Sequence, residues 1–341
     1  MLRIDTSYGE GGGQLVRTAV ALAAITGQAV RLDNVRVKRD QPGLAPQHLT
    51  AVRAVASLCD ASCEGLELRA QAFTFVPHRL RGGELRFDVG TAGSITLVLQ
   101  ALMPVLLCAP ESSRVIVSGG TDVRAAPPLD YFRHVLLGLL GHMGVQARCR
   151  VLRRGYYPRG GGEAEVSIEP AHMTRLELDE PGRLISIEGC AHVANLPLSI
   201  AERMREAALV GLAESSPSAR VDAVALGGTE AIGTGGAVTC WATTQHTVLG
   251  AGRVAERGVR AEALGEAAGA ELASDLAARV TVDIHAADQI LVYLALAGGR
   301  FTTRAISSHA QTSMWLIERF MPVRFEVGQI PGGASVRVTA R

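Results

Sequence analysis

Lysine is almost missing from this chain: Lys38 is the only one, and the other basic residues are arginines. Nucleotidyl transferases of the K-x-D-G type form their covalent adenylate on a lysine. Here that role would fall to Lys38, but the sequence around it, Val-Lys-Arg-Asp at Val37–Asp40, is unrelated to the K-x-D-G motif. The scarcity of lysine therefore argues against that class of enzyme.

A strong charge imbalance and long apolar runs are missing as well. The 341 residues are 48% hydrophobic and 20% charged, with a formal net charge of +1, which is typical of a soluble globular chain large enough for two domains. Any contact with nucleic acid must come from a local basic patch. Each apolar helix pattern is broken before about 20 residues, the length of a membrane span, and Met1–Asp5 enters a strand pattern without a signal segment. We therefore expect a cytoplasmic protein.

The cysteines form no C-x-x-C pair, and no histidine pair stands at a metal-ligand spacing with carboxylates. These absences argue against a zinc ribbon, a disulfide framework and a dedicated zinc site. We expect the cysteines to be buried small apolar residues. They are Cys59, Cys63, Cys108, Cys149, Cys190 and Cys240.

A glycine-rich turn near the N-terminus is the most informative motif that is present. Gly9–Gln14 reads Gly-Glu-Gly-Gly-Gly-Gln and leads through Arg17 into an apolar stretch that ends at Gly27, which predicts a strand, a turn and a helix start. Glycines allow close backbone approach and free N–H groups at a helix start favour anions, so a phosphate site is one interpretation. A tight strand-to-helix connection is the other. The motif is not a Walker A loop, because no lysine follows it, and it lacks the dinucleotide-binding spacing.

The chain repeats one pattern of strands and helices in three copies, with a period of about 85 residues between the first two. Each copy is predicted to be a βαβαββ unit. The copies begin with strands at Leu2–Asp5, Leu85–Asp88 and Val280–Asp283, each followed by a helix. Their second strands are Ala29–Val37, Arg114–Ser118 and Arg300–Ala305, and their second helices are Pro46–Cys59, Pro128–Met143 and His309–Phe320. Strand pairs close the copies at Gly65–Val76, Val145–Ile168 and Val323–Ala340.

Residues that fit none of these templates interrupt the third copy. The sequence there predicts strands at Leu184–Gly189, Val221–Leu226 and Ala237–Thr244, with helices at Pro197–Glu214 and Gly258–Ala277. We interpret 184–278 as a smaller inserted α/β domain, and 1–183 together with 279–341 as the large domain. The glycines at 227–228 and 233–236 are interpreted as hairpin turns, because a strand follows them and not a helix.

Unusual polar residues recur at the predicted helix starts of different copies. If the units pack around a shared axis, these starts converge and several helix dipoles face one anionic ligand. Other roles stay open: Gln100 can satisfy a buried backbone group, and Asp288 can complement a helix dipole. Helix capping is the favoured role of Ser307 and Ser308. The full set is Glu10, Gln14, Arg17, Arg36, Arg39, Gln47, His48, Gln100, His285, Asp288, Gln289, Ser307, Ser308 and His309.

A second motif is the segment Arg153–Glu163, which reads Arg-Arg-Gly-Tyr-Tyr-Pro-Arg-Gly-Gly-Gly-Glu. A hairpin with a glycine bulge explains its glycines. It does not explain the arginines and tyrosines, which suit phosphate contact and base stacking with nucleic acid. This interpretation places Arg154, Tyr156 and Arg159 at an RNA contact.

Together these motifs resemble the RNA 3′-terminal phosphate cyclase family, and the resemblance covers the whole chain. Arg154–Gly162 matches the family signature, and Gly9–Arg17, Arg36–His48, Ala286–Gln289 and His309 are similar as well. The resemblance implies an α/β (α+β) fold: a large domain of three units like the C-terminal domain of translation initiation factor 3, plus an inserted domain. Members of the family use ATP to convert an RNA 3′-phosphate end into a 2′,3′-cyclic phosphodiester.

Carried over residue by residue, the resemblance implies that His309 receives AMP from ATP and that Glu10 holds a divalent cation, Mg²⁺ or Mn²⁺. Catalysis would also involve Arg17, Arg39 and Asp288, and the phosphate and RNA end would meet Arg17, Arg36, Arg39, Gln47 and His48. The nucleotide would lie against Gln100, Pro127, His285, Ala286, Ala287, Asp288 and Gln289. At His285 some members have a tyrosine instead, so the contact of this residue stays open. ATP and RNA 3′-phosphate ends are the expected partners, without a membrane, and a homo-oligomer stays open.

Two other functions remain as alternatives. Catalytically silent cyclase-like proteins of ribosome assembly share the fold but lack the nucleophilic histidine, whereas His309 is present. Enolpyruvyl transferases also use related repeated units, with arginines that bind phosphate and a carboxylate. Their two-domain plan of six units does not fit three units and an insertion.

Overall fold

The computed structural model describes residues 1–216 and 218–340. The first unit is a four-stranded sheet in the order β1-β2-β4-β3, in which β1 and β2 are parallel and the other neighbours are antiparallel. Its elements are β1 (Leu2–Asp5), α1 (Gly13–Thr26), β2 (Val30–Asp33), α2 (Pro46–Leu58), β3 (Ser62–Glu64) and β4 (Phe73–Val76). The unit therefore has the predicted βαβαββ order.

The second unit has the same order, with one irregular helix. Its elements are β5 (Gly83–Asp88), α3 (Ile95–Leu107), β6 (Ser113–Gly119), α4 (Leu129–Tyr131), a π-helical turn (Phe132–Leu136), α5 (Leu137–His142), β7 (Ala147–Gly155) and β8 (Gly162–Ile168). β5 and β6 are parallel, whereas β8 is antiparallel to both β6 and β7.

A short strand, β9 (Leu176–Glu177), precedes the inserted residues. These form β10 (Leu184–Ala194), α6 (Leu198–Leu212), β11 (Arg220–Leu226), β12 (Ala231–Ile232), β13 (Gly235–Thr244), β14 (Val248–Val254) and α7 (Ala261–Ala277). The sheet order is β11-β10-β13-β14, while β12 instead joins β7 of the second unit in parallel. The two helices pack closely, because Gly265 and Gly269 of α7 lie against the α6 backbone at Met204 and Ala208.

Most of the third unit follows the insertion. Its elements are α8 (Ala286–Gln289), α9 (Leu291–Ala297), β15 (Gly299–Thr303), α10 (Ser308–Phe320), β16 (Val323–Ile330) and β17 (Gly333–Ala340). The sheet order is β16-β17-β15-β9.

The predicted strand at Val280–Asp283 is wrong. Leu176–Glu177 takes the expected place instead, pairing in parallel with β15. The backbone N–H groups of Thr281 and Val282 donate to Thr302 O, at 3.1 and 2.9 Å, without forming a ladder. The first strand of the third unit thus precedes the insertion in sequence. The residues after the insertion that resemble a first strand, Val280–Asp283, form a buried loop instead.

Two hydrophobic clusters form the core. One takes its buried residues from Ile4 to Leu178 and from Val282 to Val338, and the other takes its residues from Ile187 to Val280. The second cluster includes Val280, which the predicted division places in the large domain, and the division itself stays a prediction. The expectation that every cysteine is buried is wrong for Cys108, which is exposed at the end of α3, and Cys63 and Cys190 are only half-buried.

Helix α1 lies at the centre of the first cluster because its apolar side chains are buried around its whole circumference. It packs against α2, α3 and α10, and α8 packs against α10. This packing brings the N-terminal ends of α1, α8 and α10 together, which is where the polar residues collect. In the described part of the chain, no helix combines the length and the apolar character that crossing a membrane requires.

Candidate active site

The lack of a side chain at Gly13 leaves room for the imidazole of His48 at the start of α1. At Gly13 a Cβ atom would lie 1.9 Å from His48 Nε2, so a side chain there would displace the imidazole. Gly9 and Gly11 both have a φ of 58°, a backbone conformation that glycine adopts without strain. The motif therefore forms the tight strand-to-helix connection and exposes Glu10 between its glycines, while the phosphate site stays a prediction.

His309 and Glu10 meet where α10 begins. His309 Nε2 lies 2.8 Å from Glu10 Oε2, and Ser308 Oγ donates to the other carboxylate oxygen. Arg39 contributes a guanidinium nitrogen 3.9 Å from Glu10 Oε2. The hydrogen bond from Ser308 lowers the pKa of Glu10 in spite of partial burial, and His309 and Arg39 act in the same direction. Ser307 caps the helix, because its Oγ accepts from Ala310 N at 3.0 Å.

Asp288 approaches the opposite edge of the same imidazole. Its Oδ2 lies 3.9 Å from His309 Nδ1 and accepts a hydrogen bond of 3.4 Å from Gln14 Nε2. Gln14 Nε2 also donates to Ser313 Oγ at 2.7 Å, which ties α1 to α10. Burial raises the pKa of Asp288 to about 6, against the opposing effect of His309, His285 and Arg17. One imidazole therefore lies between two carboxylates, each near a different ring nitrogen.

Arg17 is the least compensated charge in the site. Its side chain belongs to α1 and is buried, with 8% of the residue exposed. Within residues 1–216 and 218–340 it forms no hydrogen bond or ion pair, although Asp288 is close enough to favour its charge. Burial lowers the pKa of Arg17 to about 10, so the guanidinium is still protonated at neutral pH. A buried cation without a protein partner is the arrangement that an anionic ligand completes.

Neighbouring side chains add donors to the same region. His48 Nδ1 accepts from Ala45 N at 3.3 Å, and burial together with three guanidinium groups lowers the pKa of His48 to about 3. The imidazole is therefore neutral, and its proton is on Nε2, the nitrogen facing the start of α1. Arg36 donates to the carbonyl oxygens of Gln41 and Gly43 and so holds its own loop.

A second group of predicted residues surrounds α8. Gln100 Nε2 donates to Gln289 Oε1 at 2.7 Å, and Gln289 Nε2 donates to His285 O at 2.7 Å. Pro127 O accepts from Thr96, which fixes that loop on α3. Ala286 and Ala287 are buried in the core, so only their backbone atoms remain for contact with a nucleotide.

His285 is held by the inserted residues. Its Nε2 lies 2.7 Å from Glu271 Oε1, and Arg253 donates to the other oxygen of Glu271. Although burial opposes ionisation, these hydrogen bonds lower the pKa of Glu271 to about 2, and the bond to Glu271 raises the pKa of His285. The edge of the α8 region is thus built partly by α7 of the insertion.

The structure argues against the RNA contact expected of Arg154 and Tyr156. Arg154 is buried and donates to both carboxylate oxygens of Asp130, at 2.8 and 2.7 Å, and to Asp122 Oδ2 at 3.1 Å. Tyr156 is 2% exposed and packs against Gly235, where a Cβ would lie 2.2 Å from its ring. As placed, neither side chain can reach a phosphate or stack on a base.

The same segment joins the second unit to the insertion. Arg154 N donates to Glu230 O at 2.8 Å, and Tyr156 N donates to Ile232 O at 3.1 Å. Arg159 is exposed beyond this junction, so RNA contact at Arg159 stays a prediction. Gln47 is also fixed by the second unit, because its Oε1 accepts from Ser94 N at 3.1 Å.

Sequence reasoning missed several residues that shape the site. Ser313 was not singled out, although its position four residues after His309 places it on the same face of the predicted helix. Glu271 and Arg253 belong to the insertion, and no spacing in the sequence connects them with His285. Glu271 lies on α7 and Arg253 on β14, so only tertiary packing shows their contribution.

Known proteins resemble this chain over nearly its whole length. The family model for RNA 3′-terminal phosphate cyclase matches residues 8–327. The chain is 56% identical over 332 residues to the RNA 3′-terminal phosphate cyclase of Nitrosospira multiformis, covering 96% of this chain and 94% of the relative. It is 43% identical to the protein of the same name from Pyrobaculum neutrophilum, over 96% of this chain and 94% of the relative. For the Pyrococcus furiosus protein of that name the identity is 39%, over 100% of this chain and 99% of the relative.

Among solved structures, the enolpyruvyl transferase NikO from Streptomyces tendae aligns with a TM-score of 0.40 and 12% identity, over 98% of this chain and 47% of that one. A likeness of this size carries no functional inference. The family match and the sequence identities extend over nearly the whole chain. The chain therefore belongs to the RNA 3′-terminal phosphate cyclase family.

Proposed function

We propose that this protein uses ATP to convert an RNA 3′-terminal phosphate into a 2′,3′-cyclic phosphodiester, through an adenylate on His309 and an adenylylated RNA end. The observation that carries the proposal is the position of His309 between Glu10 and Asp288, beside the buried and unpaired guanidinium of Arg17. An imidazole with one edge oriented by a carboxylate is a competent nucleophile, and the adjacent cation suits a phosphate.

In the first step, His309 Nε2 attacks the α-phosphorus of ATP. A nitrogen–phosphorus bond forms, the bond to the bridging oxygen breaks, and pyrophosphate leaves. At 2.8 Å from the Glu10 carboxylate, Nε2 carries the ring proton. Before the attack, the ring must leave Glu10 and take the tautomer with its proton on Nδ1, on the Asp288 side, so that the Nε2 lone pair is free. Asp288, on the Nδ1 side, then stabilises the positive charge that develops on the ring.

Side chains around the nucleophile would bind the reacting phosphates. Arg17 and Arg39 supply guanidinium groups, and neutral His48 offers its Nε2–H, so the phosphates meet donors of different charge. The nucleotide would lie along α8, where Gln100, Gln289 and His285 already form a connected hydrogen-bonded set. Free N–H groups at the starts of α1 and α10 add donors for an anion.

The residues present also fit a divalent cation. Glu10 is partly exposed and offers a single carboxylate, which matches the way Mg²⁺ is bound through one or two carboxylates together with substrate phosphates. Such a cation, Mg²⁺ or Mn²⁺, would neutralise charge on the phosphates of ATP. Glu10 would hold it, and Ser308, which donates to the same carboxylate, would orient that ligand.

Two further steps complete the reaction. An oxygen of the RNA 3′-phosphate attacks the phosphorus of the His309 adenylate, the nitrogen–phosphorus bond breaks, and AMP is transferred to the RNA end. The neighbouring 2′-OH then attacks the RNA phosphorus and expels AMP. This closure is intramolecular, so holding the end in place supplies much of the rate.

Incubation with α-labelled ATP and an RNA ending in a 3′-phosphate tests the function. We expect a labelled protein in the absence of RNA, and a phosphatase-resistant cyclic end with release of AMP in its presence. A protein that binds RNA but never takes up the label would instead be a catalytically silent relative.

The order of the steps predicts a trapped intermediate. An RNA whose last sugar is 2′-deoxy offers a phosphate for AMP transfer but no internal nucleophile for closure. We expect this substrate to accumulate the adenylylated end, and a matched ribose end to cyclise and release AMP. Gel separation of the two end products measures this. Complete cyclisation of the ribose end without any adenylylated deoxy end would contradict the scheme.

The raised pKa of Asp288 predicts an acid limb in the rate of enzyme–AMP formation. Above about pH 6 the carboxyl is ionised and orients His309, whereas below that pH it is protonated and loses this effect. Asp288→Asn should therefore be slower than wild type by at least about ten-fold at pH 7.5. The ratio of the two rates should fall towards one near pH 5. A ratio that does not change with pH would show that ionised Asp288 does not act on His309.

A further inference from the structure

An aromatic column stands beside the candidate active site and is not used by the mechanism above. Tyr8 and Trp315 are stacked, with ring centroids 4.0 Å apart and an angle of 12° between their planes. Arg319 lies over the Trp315 ring, with its guanidinium carbon 5.1 Å from the centroid. Tyr8 is 45% exposed although one face of its ring is covered by Trp315. The column therefore ends in an aromatic face that is open to solvent.

The position of the column ties it to the reacting groups. Tyr8 precedes Glu10 by a single glycine, and Gly11 N donates to Tyr8 O at 3.1 Å, so the ring belongs to the same tight turn as the carboxylate. Trp315 is six residues after His309 on α10, which is about 9 Å along the helix axis. The exposed face of Tyr8 is thus close enough to His309 to be reached by a base one or two nucleotides from an RNA end bound there.

The chemistry around the column suits a nucleic-acid strand. Aromatic residues make up only 4% of the chain, yet two of them are stacked here with an arginine behind them. The only lysine, Lys38, donates to Gly9 O at 3.0 Å and places its charge beside the same turn. An exposed aromatic face with flanking cations binds single-stranded nucleic acid by base stacking and phosphate attraction.

We propose that the exposed face of Tyr8 is a stacking site for a nucleobase near the 3′ end of the RNA, supported from behind by Trp315 and Arg319. The site rests on the proposed function, because the RNA end must lie at His309. It is distinct from the nucleotide region at α8, which is formed by Gln100 and Gln289 on other elements. Since stacking does not depend on base identity, the site would favour RNA of any sequence.

Equilibrium binding of the full chain to short RNAs ending in a 3′-phosphate tests the proposal. One RNA is intact, and three others lack the base at the last, second-last or third-last nucleotide. We expect wild type to bind one of the abasic RNAs about ten-fold more weakly than the intact RNA. Tyr8→Ala should bind the intact RNA about ten-fold more weakly than wild type does. Tyr8→Ala should bind that abasic RNA as well as it binds the intact RNA, because the stacking contact is already lost.

Two matched variants separate stacking from packing. Tyr8→Phe retains the aromatic face and should bind all four RNAs as wild type does, whereas Tyr8→Leu fills the space above Trp315 without such a face and should behave like Tyr8→Ala. Enzyme–AMP formation from ATP alone should be retained within a few-fold in every variant. Failure of wild type to form enzyme–AMP would refute the proposed function, while the RNA affinities would still decide for or against the stacking site.

Three results would overturn the proposal. One is an unchanged RNA affinity of Tyr8→Ala. Another is that Tyr8→Ala weakens the binding of each abasic RNA by the same factor as the binding of the intact RNA, which would show that no single base depends on Tyr8. The third is an equal loss of enzyme–AMP formation and RNA affinity in Tyr8→Ala and Tyr8→Leu, which would show that the column only shapes the turn at Glu10.

Discussion

Replacement of His309 by alanine should abolish the covalent label that α-labelled ATP leaves on the protein. His309 is proposed as the sole nucleophile, and neither carboxylate next to it can form the nitrogen–phosphorus bond that holds the label. The fold should remain intact, because the side chain is 47% exposed at the start of α10 and the cap of that helix is Ser307. Label retained after denaturation, with circular dichroism of the variant, measures both expectations.

The chemistry of the adduct provides a second criterion. A phosphoramidate on imidazole is labile to acid and stable to alkali, whereas an acyl phosphate on Glu10 or Asp288 would be lost in alkali. His172→Ala is the matched control, because His172 is an exposed histidine outside the site and its loss should leave the label unchanged. Full labelling of His309→Ala would place the nucleophile elsewhere.

The repeated units could be predicted from the sequence because their signals are local. Apolar periodicity, glycine stops and capping serines locate α1, α2 and α10 to within a few residues of their observed ends. The convergence of helix starts on Glu10 and His309 followed from the repetition itself. Helix starts in equivalent positions of packed units meet, and the polar residues at them then share one site.

The errors came from contacts that no local pattern records. Val280–Asp283 repeats the apolar pattern of a first strand, but Leu176–Glu177 takes that place in the sheet. Strand β14 (Val248–Val254) was not predicted, because its glycines at 250 and 252 weaken the strand signal, whereas packing on the second unit requires them. Glu271 acts on His285 from another part of the chain, and only tertiary packing shows it.

Arg154 gives the most instructive contrast, because its position in a conspicuous motif suggested an exposed ligand contact and the structure buries it. Arginine suits phosphate for the same reason that it suits two carboxylates, since its planar fork donates in pairs. The sequence shows the donor and does not show which acceptor it meets. Asp122 and Asp130 are distant from Arg154 in sequence, and the structure brings them to it.

Replacement of Arg154 should destabilise the fold and not merely weaken RNA binding. The guanidinium is buried against Asp122 and Asp130, and burial of Asp122 is outweighed by Arg154 and His192, which hold the pKa of its carboxyl well below the usual range. Arg154→Ala leaves both carboxylates buried without their main cation, a change that costs about 3–5 kcal/mol in comparable buried pairs. We expect a loss of this size in the free energy of unfolding, measured as a lower denaturant midpoint at pH 7.

The pH dependence of that loss identifies its cause. In wild type the depressed pKa of Asp122 contributes stability above the pKa of the unfolded chain, about 3.9, and this contribution is lost only in strong acid. In Arg154→Ala the buried carboxyls bind protons more readily, so the difference in stability between variant and wild type should narrow as the pH falls from 7 to 5. Arg159→Ala is the control within the same segment, because Arg159 is exposed and its replacement should change stability by no more than about 0.5 kcal/mol. An Arg154→Ala protein as stable as wild type but deficient in RNA binding would restore the interpretation made from the sequence.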